Sequence, residues 1–484
     1  MPSTLQRAIA AHRAGHITEA ETLYRTVLKE QPDRADASFN LGTILAQSGR
    51  MAEALQQFAA AAKAKPDFGE AWLSLSECAR QQSDYDLHLS ASQRATHYMP
   101  DNARAWFRHG LALSALQRLD EAVAAYQRAL TLDPKSIAAS ANLSVTLKKI
   151  GKPDEAEKII RATLESTGQT RDITDDAEQH YGLLHWHLAL LELARGDYRE
   201  GFAHFRARFK GGTNWKRLES SKPLWRGEDL KSKTLLVTAE QGHGDVLMMA
   251  RYLPLLKERG AMVVFQTHPG LVHLFSDWHG SDRVLSTNDS LDDQSFDYHV
   301  PVFDLPCRFG TELSSLPAAP YIPAPATTKP LPHDGRKKIG IVWTGQAANP
   351  RDALRRLAAT MFAEIFALPS FHFFNLTRER TEQDSALLAE HNVTDLSPTL
   401  QDFRVTAEVI GQLDLLITCD TAAAHLAGAM GKSAYVLIPF APDWRWLYDR
   451  EDSPWYSSLR LFRQTKPDQW DDVLQRVKSA ITSL

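Results

Sequence analysis

The stretch LDLLITCDTAAAHLAGAMGK, residues 413–432, reads as a buried strand, a tight polar turn and a helix of very small residues. Leu413, Leu415, Leu416 and Ile417 make an apolar run of strand length. Thr418-Cys419-Asp420-Thr421 then offers short polar side chains where a helix must begin, with Asp420 or Thr421 as its cap. Ala422, Ala423 and Ala424 leave the first turn without bulk, so a ligand can approach its free backbone N–H groups. Those unpaired donors and the positive end of the helix dipole together suit a phosphate. The competing reading is that the small residues only seat the helix tightly on its sheet.

The same strand-then-helix alternation extends in both directions. Lys338-Ile339-Gly340-Ile341-Val342-Trp343 reads as a strand, followed by a helix over 360–368, a strand over 371–376, helices over 383–390 and 403–413, and a strand over 434–438. Pro317, Pro320, Pro323, Pro325, Pro330 and Pro332 mark a stiff linker before this region. Ahead of the linker, Thr234-Leu235-Leu236-Val237-Thr238 is a buried strand leading through Ala239-Glu240-Gln241-Gly242-His243-Gly244-Asp245 into a helix, and strands over 261–265, 283–285 and 297–300 continue the pattern. Two Rossmann-like halves, at 215–325 and 333–484, are expected to face a cleft. Gly242 and Gly244 let the backbone turn close to a substrate, and Asp245 falls in the first turn of the helix, where capping alone would explain it.

Residues 1 to about 210 follow another rule. Pro32, Pro66, Pro100 and Pro134 are 34 residues apart; Gly15, Gly49 and Gly151 share one register position, Ala20, Ala54, Ala122 and Ala156 a second, and Tyr24, Phe58 and Tyr126 a third. Small residues are expected where paired helices touch, with the aromatic filling the gap between pairs. This closely resembles the tetratricopeptide repeat, an α-solenoid whose stacked helix pairs make a groove for a peptide or protein; dimerisation or a purely architectural role is the alternative. Five repeats fill 1–168, and a sixth appears at Leu183 to Phe209 after an insertion at 166–178. The third repeat departs at Ser83, His88 and Ser92, which predicts looser packing there. Asn40 and Asn142 occupy a position where amides in related arrays grip a peptide main chain, but Gln6, Ser74 and Arg108 stand at the equivalent places.

The 55 basic and 59 acidic residues give a net charge of -4, which favours neither nucleic acid nor an anionic membrane. Cys78, Cys307 and Cys419 lack disulfide or metal-ligand spacing, which fits a reducing cytoplasm. The start of the chain lacks the apolar core of a signal peptide, and no run is apolar enough to span a membrane. Asp292-Asp293 sits in a polar loop and reads as solvated rather than metal-binding.

The loop 239–245, Val342-Trp343-Thr344-Gly345, and Cys419 to Lys432 with its Asp-Thr-x-x-x-His-x-x-Gly-x-x-Gly run together resemble the signatures of GT-B glycosyltransferases related to heptosyltransferases. With the repeats, nearly the whole chain resembles bacterial tetratricopeptide-repeat glycosyltransferases, a group that includes flagellin-modifying enzymes. The resemblance implies Asp245 as the catalytic base, and Thr344, Gly345, Asp420, Thr421, Ala422 and Ala423 at the donor diphosphate. His425, one turn further along on the helix face toward the cleft, is placed by the resemblance at the bound donor, with a structural role as the alternative. The departures are His243, beside the glycines, and Ser433, where proline commonly follows the helix.

Arg351, Arg355 and Arg356 follow the first strand of the second half and suit a leaving phosphate through the planar guanidinium fork, or else are solvated. Pro442-Asp443-Trp444-Arg445-Trp446 offers aromatic rings for a base or sugar, or for burial against the final helix around Trp470. The expected activity is inverting, metal-independent transfer from a nucleotide sugar, without a cofactor, to a protein docked on the repeats. A lipid-linked or small acceptor and a non-catalytic scaffold are the rival readings.

Overall fold

The computed structural model describes residues 2–168, 179–210, 217–291, 294–345 and 355–484. The chain divides into two compact units, Met1–Asp172 and Ile173–Leu484.

The first unit is an α-solenoid of five antiparallel helix pairs, from Thr4–Arg13 and Ile17–Glu30 to Ile137–Lys149 and Pro153–Ser166. Ala20, Ala54, Ala122 and Ala156 are fully buried, as are Tyr24 and Tyr126. The residues that let helices touch are Gly42 and Gly110, where a Cβ would lie 2.9 Å from the Phe58 ring and 2.5 Å from the Tyr126 ring. Gly15, Gly49 and Gly151 have a different task from the packing one expected. They take positive φ of 79°, 75° and 79° in the turn within each pair, as Ser83 and Gln117 do at the same register, and an added Cβ on Gly15 or Gly49 would meet nothing. They close the turn, where left-handed backbone is cheapest for glycine.

The third repeat is not loosened by its departures. Ser76 stands at the position of Gly42 and Gly110, and its hydroxyl is 2.8 Å from Nδ1 of the fully buried His88. Ser92 stands where the aromatic belongs, and its hydroxyl is 3.1 Å from His109 Nδ1. Hydrogen-bonded polar pairs fill the space that a glycine and a ring fill elsewhere.

The second unit opens with the helix pair Gln179–Arg195 and Tyr198–Phe205, which the sequence register aligned with the repeats. Trp186, Tyr198, Phe202 and Phe205 are buried in one core with the strands that follow. The first half carries β1 (Thr234–Thr238), β2 (Met262–Thr267), β3 (Arg283–Ser286) and β4 (Tyr298–Pro301) in the order β3-β2-β1-β4. The second half carries β5 (Lys337–Val342), β6 (Phe371–Asn375), β7 (Thr394–Asp395), β8 (Leu415–Cys419), β9 (Ala434–Ile438) and β10 (Leu459–Arg463) in the order β10-β9-β8-β5-β6-β7. Every ladder in both sheets is parallel. Strand order reverses between β1 and β4 and between β5 and β8, and it is beyond the carboxyl ends of strands at such points that open α/β sheets bind ligands.

Candidate functional site

Both reversal points carry predicted residues. At the end of β8, Asp420 and Thr421 are buried and lead into the helix Ala422–Ala429. Thr421 occupies the N-cap, but its hydroxyl is 2.9 Å from the Thr418 hydroxyl, so no side chain caps the helix among the described residues. Ala422 and Ala423 are half-buried at its start. Val342 pairs with Thr418, which sets Thr344 and Gly345, just beyond β5, beside this turn. Arg355 Nη1 lies 3.8 Å from Asp420 Oδ2, whereas Arg356 is exposed and Arg351 lies outside the described residues. Burial raises the Asp420 carboxyl above its ordinary range, with Arg355 opposing.

From the first half, Asp245 sits in the first turn of the helix His243–Met249. The Gly242 N–H donates to its Oδ2 at 2.8 Å, so the capping role is real. Its other oxygen accepts from Arg445 Nη2. Gly244 is pressed against the second half: a Cβ there would lie 2.7 Å from His425 Cδ2 and 3.2 Å from Ala422 Cα. Only glycine allows this approach, and it brings the Asp245 loop against the start of the Ala422–Ala429 helix.

His425 is buried, with Nδ1 3.1 Å from the Tyr456 hydroxyl and its ring stacked on Trp446 at 5.2 Å. Burial, with Arg445 adding to it, pushes its pKa down to about 3 and keeps the ring neutral. His243 stacks on Phe403 at 5.0 Å and lies 5.0 Å from His268; burial pushes it down to about 4. His243 joins the two halves by its ring contact with Phe403, whereas the ring contacts of His425 lie within the second half.

The aromatic loop behaves differently from either expectation. Trp444 is buried against Phe202, Phe205 and Trp455, while Trp470 belongs to a separate core on the other face of the second sheet. The residue that reaches the site from this loop is Arg445, which sequence reading passed over. It is 6% exposed and lies between Asp245 and Asp443, with the Trp444 ring 4.5 Å from its guanidinium carbon. A second buried network stands at the first half's reversal point. Arg208, fully buried, donates to Glu240 at 2.6 and 2.7 Å and to Asp304 at 2.8 Å. Among the described residues, no group of three or more His, Cys, Asp or Glu side chains is arranged to hold a metal ion, and no helix is long and apolar enough to cross a membrane.

Residues 5–67, 52–95 and 88–137 match one model of the tetratricopeptide repeat, and residues 113–173 match another. The first unit is a tetratricopeptide repeat array. Protein FlbA of Caulobacter vibrioides is 25% identical over 366 residues, 69% of this chain and 59% of FlbA, so the chain spans less than two thirds of that relative. Among solved structures, MamA aligns with a TM-score of 0.32 and 22% identity over 34% of this chain and 95% of its own. YrrB, described as a TPR protein with an unusual peptide-binding site, aligns with a TM-score of 0.32 and 21% identity over 34% of this chain and 84% of its own.

Proposed function

We propose that the second unit transfers a sugar from a nucleotide-sugar donor to an acceptor protein recruited by the repeat array, a reading that includes Ser/Thr hydroxyls, flagellin among them, as acceptors. The observation that carries it is the approach of Gly244 to Ala422 and His425. It sets a carboxylate from one sheet's reversal point beside an uncapped helix N-terminus from the other. Transfer needs those two groups together, a base for the acceptor hydroxyl and donors for the leaving phosphate.

In this mechanism the acceptor oxygen attacks the anomeric carbon as Asp245 takes its proton. The bond from that carbon to the phosphate oxygen breaks on the opposite side, which inverts the centre. The nucleoside diphosphate leaves against the N–H groups of Ala422 and Ala423 and the guanidinium groups of Arg355, Arg356 and Arg351, with Thr344 and Gly345 flanking it. A carboxylate oxygen has two lone pairs, so each Asp245 oxygen keeps one after its present hydrogen bond. No metal is required where helix and arginines neutralise the leaving charge.

A non-catalytic scaffold remains the second reading, and one feature favours it. Both Asp245 oxygens are already engaged, one by the Gly242 N–H and the other by Arg445, as they would be in a purely structural carboxylate. With a lipid-linked or small acceptor, the array would serve assembly instead. A thermal-shift screen against UDP, GDP, ADP and CMP tests the donor site. A nucleotide at about 100 times its Kd adds about 2.7 kcal/mol to the folded state, and the second unit's transition should rise with one of the four. No rise with any of them favours the scaffold.

A further inference from the structure

Arg445 belongs to the second half and Asp245 to the first, 200 residues apart in sequence. The guanidinium is held from behind. Asp443 caps the short helix Trp444–Trp446, its carboxylate accepting from the Arg445 backbone N–H at 3.2 Å and also from Nη1, and the Trp444 ring lies against the guanidinium carbon. Trp444 is itself locked among Phe202, Phe205 and Trp455. Arg445 Nε has no partner among the described residues, so the forward reach of the side chain is committed to Asp245, with a weaker contact to Gln241 at 3.5 Å.

Asp245 has the opposite character. Its side chain is 19% exposed, and of its two oxygens one is tied within its own loop, to the Gly242 N–H. That single bond leaves the carboxylate free to swing about it. Arg445 supplies the second point, and two points fix the plane of a carboxylate. Which way the remaining lone pairs face is therefore set by the second half, and only while the two halves are together.

We infer that Arg445 is the positioning residue for Asp245, aligning the first half's carboxylate across the cleft when the halves close on one another. The inference rests on the reading of Asp245 as the base. That role accounts for a bridge that, buried for stability alone, would gain little over apolar packing. Its cost is justified where an oxygen must be held in one place.

The test uses the full chain with Arg445→Gln, Arg445→Lys, Asp245→Asn and the Arg445→Gln/Asp245→Asn double variant. The first readout is hydrolysis of whichever nucleotide sugar stabilises the protein, with water standing in for the acceptor. Arg445→Gln should lower kcat by about 100-fold, the scale of a misaligned reacting group, and leave the donor KM nearly unchanged. Arg445→Lys should recover part of the loss. The double variant should be no slower than Asp245→Asn alone, since a positioning residue has nothing left to position. Losses that multiply in the double variant, or a rise in KM without a fall in kcat, would overturn the inference.

The second readout is independent of turnover: hydrogen–deuterium exchange over residues 239–250. Arg445→Gln should speed exchange there while β1 stays protected, and unchanged exchange overturns the inference. If the wild-type protein hydrolyses none of the sugars, the proposed function falls, and the exchange measurement alone decides the role of Arg445. If Arg445→Gln does not fold, Arg445→Lys is read by both measures.

Discussion

The two units use charged residues in opposite ways. In the repeat array most ion pairs lie on the surface, within one helix turn as with Arg118 and Glu121 or Arg50 and Glu53, or reaching the neighbouring helix pair as Arg50 does to Glu21; Arg108 and Glu77 pair half-buried. Exposed pairs of this kind contribute little to stability. The core beneath them is alanine, glycine and single rings, repeated at short range. In the second unit, Arg208, Arg251 and Arg445 are buried and join segments far apart in sequence. Arg208 pairs with Glu240 and Asp304; Arg251 donates to the carbonyls of Met248, Pro317 and Trp455 and lies against the rings of Tyr321, Trp455 and Tyr456. Arg208 and Arg445 both stand at the carboxyl ends of strands where the order reverses. Buried charge costs desolvation, so its concentration at the crevice marks where fixed geometry matters more than stability.

The largest loss is expected at Arg208. Replacing it with methionine leaves Glu240 and Asp304 buried without their partner, and should cost the second unit about 3–5 kcal/mol in denaturant unfolding. A loss under about 1 kcal/mol, the range of an exposed pair, would mean that the network is not closed to water. In the array the weak point is steric. Gly110→Ala forces a methyl against the buried Tyr126 ring and should cost about 1–3 kcal/mol, seen in the array's own transition. Gly15→Ala, where φ rather than space is the constraint, should cost less.

Acid should separate the two units further. Burial lowers the pKa of His88 to about 4 and lowers that of His109 in the array. In the second unit it lowers His185 and His243 to about 4 and His425 to about 3, with His268 and His299 also lowered. A histidine depressed on folding stays neutral in the native state while the unfolded chain takes up a proton near pH 6.5. Its stability is therefore whole above about pH 6.5 and is lost progressively as pH falls toward the folded value. Five such groups against two predict that the second unit's melting temperature falls faster between pH 6.5 and 4 than the array's. Equal slopes would contradict the burial of these rings.

The array was legible because its signal repeats. A 34-residue spacing survives a repeat whose glycine and ring are replaced, although the sequence did not show that Ser76 and His88 would fill the gap together. The parallel strands were legible as short apolar runs between turn residues, and β1 was read to its observed ends. Missed were β7, only two residues long, and β10, whose Leu459, Leu461 and Phe462 are buried while Arg460 is exposed. The site was half legible. Asp245 and the small-residue helix declare themselves by local chemistry, since a polar turn at a strand end needs no distant partner to be recognised. Arg445 and Arg208 gave no such signal, because each is defined by carboxylates brought near only by the fold. Trp444 misled for the same reason: an aromatic in a loop looks available for a ligand until the Tyr198–Phe205 helix is seen to cover it. Arg351 and Asp292-Asp293 fall outside the described residues.

The proposal that Asp245 serves as the base stands or falls on Asp245→Asn. The asparagine amide oxygen can still accept from the Gly242 N–H, so the capping bond survives. The substitution leaves Arg445 with one carboxylate fewer, so a stability loss of about 1.5–3 kcal/mol is expected, and activity is compared below the variant's melting range. Hydrolysis of the stabilising nucleotide sugar should fall by about 100- to 10,000-fold, while the thermal shift given by the matching nucleotide persists. A folded Asp245→Asn protein that turns over the sugar at the wild-type rate would contradict the claim and leave Asp245 as a helix cap paired to Arg445.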